Sequence, residues 1–365
     1  MWTGYDMTLY SAAGRRLRQV DAYDSLSCTR TVNEVGAASL ALPYDRALYD
    51  ALTRDAVLDV WRAVGSRPPS RVMETVWLLS GREKSIDESG KMLMTFSFVD
   101  TVDVLRRFLV AYEDGTAQAD KTGVAETLAK AFVTEQIVTR CGKPLSVESD
   151  AARGAASVSV AASWQDVLSV VQGITRSSSQ QGSYLALDVV ADTISGYTFR
   201  VYSGQRGRDR SASSPVQLVL GLANGALSVG TYSEDYSSSV STQYCGGQTV
   251  DGTQVTATAV NDAVENLGPW SHTEAYTSAQ NSADSAVVTS EAYAALRAAR
   301  PEVGMSGVTL TQSDRFVFGR DVGFGDRVVV DFDGLLDAHV SSATLAVDGG
   351  TGTETVTVNL SEVGV

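Results

Sequence analysis

The sequence predicts a mainly β chain with a helical insertion, an α+β arrangement. Three observations predict it. Apolar and polar residues alternate with a period of two from Met7 through to Leu360. Glycine- and aspartate-containing turn signals separate the alternating runs. One stretch, residues 113–195, changes composition and carries apolar residues at helical spacing.

The strands begin with Met7–Tyr10 and Arg16–Val20, with Ala13-Gly14 as the turn between them. Asp24–Asn33 and Ala37–Leu42 flank Glu34-Val35-Gly36, a hairpin connection. Pro43, which has no backbone N–H to give, ends the second of these strands. Asp45–Thr53 predicts a short helix with Leu48 and Leu52 on one face, and Ala56–Val64 a further strand containing Trp61. The clearest hairpin joins Thr75–Arg82 to Lys91–Val99 across Asp87-Glu88-Ser89-Gly90. Its return strand sets Met92, Met94, Phe96 and Phe98 on one face, a core stripe. Asp100 stands where an N-cap belongs, before a helix over about Thr101–Tyr112.

In the insertion, Asp114-Gly115 and Asp120-Lys121 read as loop. Gly123–Val138 reads as helix, with Val124, Leu128 and Phe132 stacked. A second helix starts after Ser163 as N-cap, with Asp166 in its first turn, and stops in the polar run Ser177–Gly182. Tyr184–Val190 and Tyr197–Tyr202 then form a hairpin. Ser203–Pro215 is a polar loop carrying Arg206, Arg208 and Arg210. Strands follow at Val216–Leu220, Leu227–Tyr232, Ser238–Tyr244 and Gln254–Val260. An alanine-rich helix occupies Asp284–Arg300, about residues 284–300, stopped by Pro301. Val308–Gln312, Arg315–Phe318 and Asp326–Phe332 are strands again. The closing hairpin pairs Thr344–Val347 with Thr355–Leu360. The two halves rhyme: Tyr23–Val32, a helix, Ala56–Val64 and a long hairpin at the start; Tyr236–Tyr244, Asp284–Arg300, Asp326–Phe332 and the closing hairpin at the end.

Composition narrows the function classes. With 365 residues, 44% hydrophobic and 20% charged, the chain is long and apolar enough for two or three packed domains. No apolar run approaches the roughly 20 residues of a spanning helix, and Met1–Asp6 lacks the pattern of a signal peptide, so neither membrane insertion nor export is expected. Basic residues number 29 against 43 acidic, a net charge of −14, which repels phosphate backbones. Tight duplex-DNA binding is therefore disfavoured, while a channel wall past which DNA slides is compatible. Cys28, Cys141 and Cys245 fit neither a zinc spacing nor a disulfide framework, and point to assembly in a reducing cytoplasm.

Candidate chemistry is sparse. Gly304-Met305-Ser306-Gly307 has the wrong spacing for a nucleophile elbow, and Gly319–Gly325 lacks the lysine of a phosphate loop. Glu83 with Asp87, or Asp331 with Asp333, could be drawn as a glycosidase pair, but 43 acids make such neighbours common by chance. His272 and His339 are far apart. No catalytic, metal-ligating or cofactor-binding residues are assigned, and no cofactor and no enzymatic activity are expected. Arg206, Arg208 and Arg210 alternate, so an extended loop would point them the same way, as a grip on an acidic neighbour, a nucleic-acid strand or a lumen, or simply as a solvated loop. Trp61, Trp77 and Trp164 lie on apolar faces and read as core or interface rather than a sugar platform; Trp270, beside Pro269 in a loop, fits either.

The run Trp77–Ile86 through Thr95–Asp100, followed by Val104–Phe108, resembles the tail hub proteins of long-tailed phages. So do Ser163–Leu168 and Val317–Val330. The resemblance implies a protein similar to the baseplate hub of contractile tails: a homotrimer in which each subunit carries two barrels akin to the tail-tube protein, so that three copies form a pseudo-six-fold ring. On this basis residues 1–112 are the first tube-like β-barrel, 113–195 the helix-containing inserted domain, and 196–365 the second barrel. The implied role is structural. The ring adapts a six-fold tube to a three-fold tip and forms part of the DNA ejection channel. Its neighbours would be a distal tail or tail-tube ring, the tape-measure protein and other tip or fibre proteins, with DNA passing without sequence-specific binding. The location implied is the virion tail tip. Because Val365 follows the closing hairpin, lysin or receptor-binding activity is expected on another chain. The competing readings are a tail-associated cell-wall or polysaccharide hydrolase and a carbohydrate-binding adhesin.

Overall fold

A computed structural model describes residues 3–65, 67–86, 90–112, 118–279, 285–313, 316–332 and 334–362. Among the described residues strand makes up 46% and helix 18%, which fixes the class as mainly β. One sheet of 15 strands dominates. Its longest path runs Leu227–Asp235, Glu302–Leu310, Glu354–Glu362, Leu335–Asp348, Ser25–Thr31, Ala37–Pro43, Met92–Asp100, Trp77–Ile86, Val57–Val64, Thr3–Tyr10, Arg16–Gln19. The two ends of the chain meet in its middle, where Ser25–Thr31 pairs antiparallel with Leu335–Asp348, Cys28 opposite Leu345.

The path has two ends, so among the described residues the strands do not close a barrel. The sheet nevertheless folds back on itself. Glu354 and Arg62 stand six strands apart in the order, roughly 29 Å along a flat sheet. Yet Arg62 Nε lies 2.7 Å from Glu354 Oε2, with both side chains buried. Tyr5 also donates its hydroxyl to Glu354, and Arg62 reaches the Phe318 carbonyl and Gln312 at 2.7 and 2.8 Å. The core inside the fold is shared by both halves: Leu26, Leu40, Phe96, Phe98, Val340 and Val358 pack in one cluster.

The stripe expected at Met94, Phe96 and Phe98 is buried, but Met92, at the strand's outer end, is exposed. The helix expected over Thr101–Tyr112 is only the turn Asp103–Arg106. The chain leaves the helix because Phe108 and Val110 bond instead to the 164–167 segment, Val110 N to Gln165 O at 2.7 Å and Val167 N to Phe108 O at 2.8 Å. Asp120-Lys121, expected as loop, lies in a strand, Ala119–Gly123, paired with Val158–Ala162. Phe316–Phe318 is not a strand but part of a tight connection. The turn residues 87–89, Asp114-Gly115, Asp284, Arg315 and Asp333 lie outside the described residues.

A second core is formed by residues from Val102 to Val201. Helix Ala125–Val133, which runs on as a π-helical turn over Thr134–Thr139, and helix Val167–Gln180 pack on the three-stranded sheet of Leu145–Val147, Tyr197–Ser203 and Leu185–Ala191. Both strands of the hairpin Leu185–Ser203 contribute to this core, while Ala191 packs on Val57, Val76 and Leu78 of the long-sheet side. The N-cap of the second helix is Asp166, not Ser163: its carboxylate accepts from Ser169 N at 2.9 Å. Asp166→Ala is expected to lower stability by about 1 kcal/mol, read from the urea midpoint. A third, small core joins Cys245 and Ala259 to Val288, Ala292 and Leu296, where helix Ser285–Ala298 covers one face of a three-stranded sheet. Tyr236–Tyr244, whose sequence rhymes with Tyr23–Val32, runs into the strand Thr242–Val250 of that sheet, whereas Ser25–Thr31 lies in the long sheet.

Candidate functional site

The loop Ser203–Pro215 sits where the long sheet meets the inserted core, and its three arginines take three different roles. Arg206 is buried. Its Nε and Nη2 donate to Asp188 Oδ2 at 2.9 and 2.6 Å, and Nη2 also meets Glu74 at 2.8 Å. Arg208 is 52% exposed by its side chain, and Arg210 is mostly covered; the Nε of each lies 3.8 Å from Asp326 Oδ2. Asp326 is buried and is fixed by two backbone donors, Arg208 N at 2.6 Å and Gly323 N at 2.8 Å. Gly207 makes this approach possible, since a Cβ there would lie 2.2 Å from Asp326 Oδ1. Arg208 lines a cleft of about 540 Å³ together with Arg62, Arg71, Arg200 and Tyr202.

Behind the cleft runs a buried ionic seam. Asp188, in the centre of the fully buried strand Leu185–Ala191, accepts from Arg206 on one side and from Arg30 on the other. Arg30, in Ser25–Thr31, also donates from Nε to Asp100 Oδ2 at 2.9 Å and from Nη1 to the Met73 carbonyl at 2.8 Å. Gly36 leaves room for this contact, because a Cβ there would lie 2.8 Å from Asp100 Oδ2. Both guanidiniums lie 5.0 Å from the centre of the Phe324 ring. Met73 and Glu74, at φ 50° and 56°, hold a left-handed turn that costs backbone energy. Its carbonyl and carboxylate are the ones that Arg30 and Arg206 grip. Asn33 adds a polar splint: its Oδ1 accepts from Leu187 N at 2.7 Å and its carbonyl from Gln172 Nε2 at 2.7 Å.

The two carboxylates of the seam are tuned in opposite directions. Burial raises Asp188, but the charges of Arg30 and Arg206 outweigh it and hold the group at about 2. Burial dominates at Asp100, which has one arginine and the neighbouring Asp188 charge, and its carboxyl is raised. Asp326 is raised too, burial outweighing its backbone donors. These are the marks of a fastening, in which every charge has a partner inside the chain.

His339 lies at the same junction. Its ring stacks on Tyr184 at 4.9 Å, and burial, with the Arg327 charge, lowers it from 6.5 to about 4. A histidine kept neutral by the fold loses stability for the native state as pH falls, because the unfolded chain takes up the proton first. Between pH 6.5 and 4 the chain is expected to lose about 2–3 kcal/mol from this group. His339→Phe should flatten that slope in urea titrations.

The other sequence candidates are scattered. Trp77 is buried, Trp61 is half-exposed, and Trp164 is 58% exposed, leaning on Tyr112 with its Nε1 2.9 Å from the tyrosine hydroxyl. Trp270 is 92% exposed. Glu83 and Asp331 are exposed on strands; their supposed partners, Asp87 and Asp333, lie outside the described residues. His272 is bonded between Glu265 and Glu274 at 2.6 and 3.0 Å. Among the described residues no cluster of three or more His, Cys, Asp or Glu side chains is placed to hold a metal, and no helix is long and apolar enough to cross a membrane. No motif marks Arg30 or Asp188 in the sequence, and Asp100, expected as an N-cap, pairs with Arg30 instead while Val102 holds the N-cap position. The available signal was Asp188 itself, a lone carboxylate inside Leu-Ala-Leu-Asp-Val-Val, which requires a buried cation.

The long sheet, with the inserted core tied to it by buried ion pairs, is a fold shared with phage tail proteins. The sequence matches the model of the Siphovirus ReqiPepy6 Gp37-like protein family over residues 6–357, and the chain belongs to that family. The fold is similar to that of the tail protein from Neisseria meningitidis MC58, with a TM-score of 0.65, 11% identity, and 99% of this chain and 98% of that one covered. It is similar to the 43 kDa tail protein of prophage MuSo2 from Shewanella oneidensis, with a TM-score of 0.61, 12% identity and coverage of 97% and 98%. It is also similar to a chain of the lidded Francisella PdpA–VgrG complex, with a TM-score of 0.52, 10% identity, and 99% of this chain but 53% of that one covered. No curated protein matches the sequence.

Proposed function

We propose that this chain is the hub subunit of a siphovirus tail tip. Three copies form a ring that adapts the six-fold tail tube to the three-fold tip and lines part of the DNA ejection channel. The observation that carries this reading is the long sheet, to which residues 3–100 contribute eight strands and residues 209–362 seven. It supports two tube-like, barrel-forming halves per chain, with the inserted core as a third unit extending to residue 203. Each half is left open in the single chain and is completed by a neighbour in the ring. Distal tail or tube proteins, the tape-measure protein and tip or fibre proteins dock on the assembled ring, which is built in the host cytoplasm. Arg208, the most exposed of the three arginines in its loop, is the one best placed to meet an acidic neighbour.

The net charge of −14 supports a lumen that repels the DNA backbone, so DNA passes without sticking. The role is structural, in keeping with relatives that are tail structural proteins. Mass photometry of the full chain is expected to give a trimer, and negative-stain images a ring with three-fold symmetry. A monomer that fails to co-purify with tail proteins would overturn the reading. Clearing of a peptidoglycan zymogram would favour the hydrolase instead, and a positive lumen potential in the assembled ring would remove the sliding-wall part.

A further inference from the structure

We propose that neighbouring copies join head to tail by continuing the long sheet: the edge strand Leu227–Asp235 of one copy pairs with the edge strand Arg16–Gln19 of the next. This rests on the hub reading and names the surface that reading leaves open.

The two strands are the free ends of the sheet path. Leu227–Asp235 pairs only with Glu302–Leu310, and Arg16–Gln19 only with Thr3–Tyr10. Among the described residues, no backbone group of residues 228–235 is bonded on the outer side. An unprotected edge is a template for another strand, and proteins usually blunt it with proline or lysine. Neither residue occurs in Leu227–Asp235, which instead exposes Val229 and Tyr232. Two register irregularities interrupt its first part, so the regular stretch is the five residues Thr231–Asp235, long enough to span the four residues of Arg16–Gln19.

Charge selects the pairing. The regular stretch ends in Glu234 and Asp235, and the opposite edge carries Arg16 and Arg18, with Arg15 just before them; all five side chains are exposed. Tyr232 donates its hydroxyl to Glu234 at 2.6 Å and Tyr236 donates to the same carboxylate, which orients it along the edge. Two copies of either edge set against each other would place like charges side by side, which is unfavourable. Acidic edge on basic edge is the combination left. Such a contact is heterologous, and it builds a ring where its rotation closes after three copies and an open filament where it does not. Arg18 meets Asp45 at 2.6 Å on the free surface, a solvent-exposed pair that exchanges readily for a cross-copy partner.

The test uses the full chain in three charge variants. Arg16→Glu with Arg18→Glu, and Glu234→Lys with Asp235→Lys, are each expected to shift the trimer to monomer in mass photometry, with at least a tenfold rise in the assembly Kd and unchanged circular dichroism. The chain carrying all four substitutions restores opposite charges at every junction and is expected to assemble again. Hydrogen–deuterium exchange of the wild type provides a reading independent of any variant: residues 16–19 and 231–235 should gain protection together as concentration crosses the assembly range. A wild-type trimer that ignores both reversals, or that gains protection elsewhere, overturns this interface and leaves the hub reading standing. A fourfold variant that folds but stays monomeric also overturns it. A wild-type monomer that binds no tail protein takes the hub reading down as well.

Discussion

Asp188→Ala is expected to destabilise the native chain by about 3–5 kcal/mol, because it leaves two buried guanidiniums, Arg30 and Arg206, without their shared carboxylate. Glu74 remains for Arg206 and Asp100 for Arg30, but neither replaces a charge at the centre of the seam. Loss should show first as faster amide exchange across the inserted core, residues 102–201, since Asp188 ties that core to the long sheet. Asp188→Asn, whose amide oxygen still accepts, should lose less than the alanine variant. A pH series supplies the second arm. The folded carboxyl titrates at about 2 against an ordinary 3.8. Its stabilisation is therefore complete above pH 4 and is lost as pH falls towards 2. The acid limb of the wild type should be steeper than that of Asp188→Asn. Equal limbs, with no change in the exchange of the inserted core, would show that the seam does not hold the two bodies together.

Glu354→Ala is expected to cost a similar amount, about 3–5 kcal/mol, through a different failure. It removes the one carboxylate that Arg62, Tyr5 and Gln312 all engage, leaving Arg62 buried with only the Phe318 carbonyl and Gln312 for partners. These contacts hold the sheet in its folded-back form, so the expected signature is exposure of the shared core, seen as increased binding of a hydrophobic dye before global unfolding. Glu354→Gln keeps the acceptor and should recover part of the loss. If Glu354→Ala unfolds within 1 kcal/mol of wild type, the curl is set by core packing alone.

Much of the β framework was legible because its signals are local. Alternation in Met94–Phe98 and Val356–Leu360, the turn at Gly14 and the stop at Pro43 each act within a few residues. The seam was not legible, because its members come from positions 30, 74, 100, 188 and 206 and no short window holds two of them. The same distance effect explains Arg206. Spacing predicts that it points with Arg208 and Arg210, but the attraction of a buried Asp188 from another element decides where the side chain goes. Trp164 shows the converse: an apolar neighbourhood in sequence did not bury it, because the residue takes a left-handed turn, φ 57°, ahead of the helix that Asp166 caps. Asp120-Lys121 reads as loop because both residues are polar, yet in the strand Ala119–Gly123, one half of a two-stranded ribbon, they need little apolar surface.

The pairing of Ser25–Thr31 with Leu335–Asp348 sets the order in which a nascent chain can acquire its structure. Thr31 and Ser342 are partners separated by about 310 residues, so at a synthesis rate of roughly 5–20 residues per second the first strand waits on the order of 15–60 s for its mate. The inserted core, contiguous from Val102 to Val201, completes itself in the meantime. During that interval the ribosome carries an early β-layer with a bare flank, a natural client for a holding chaperone.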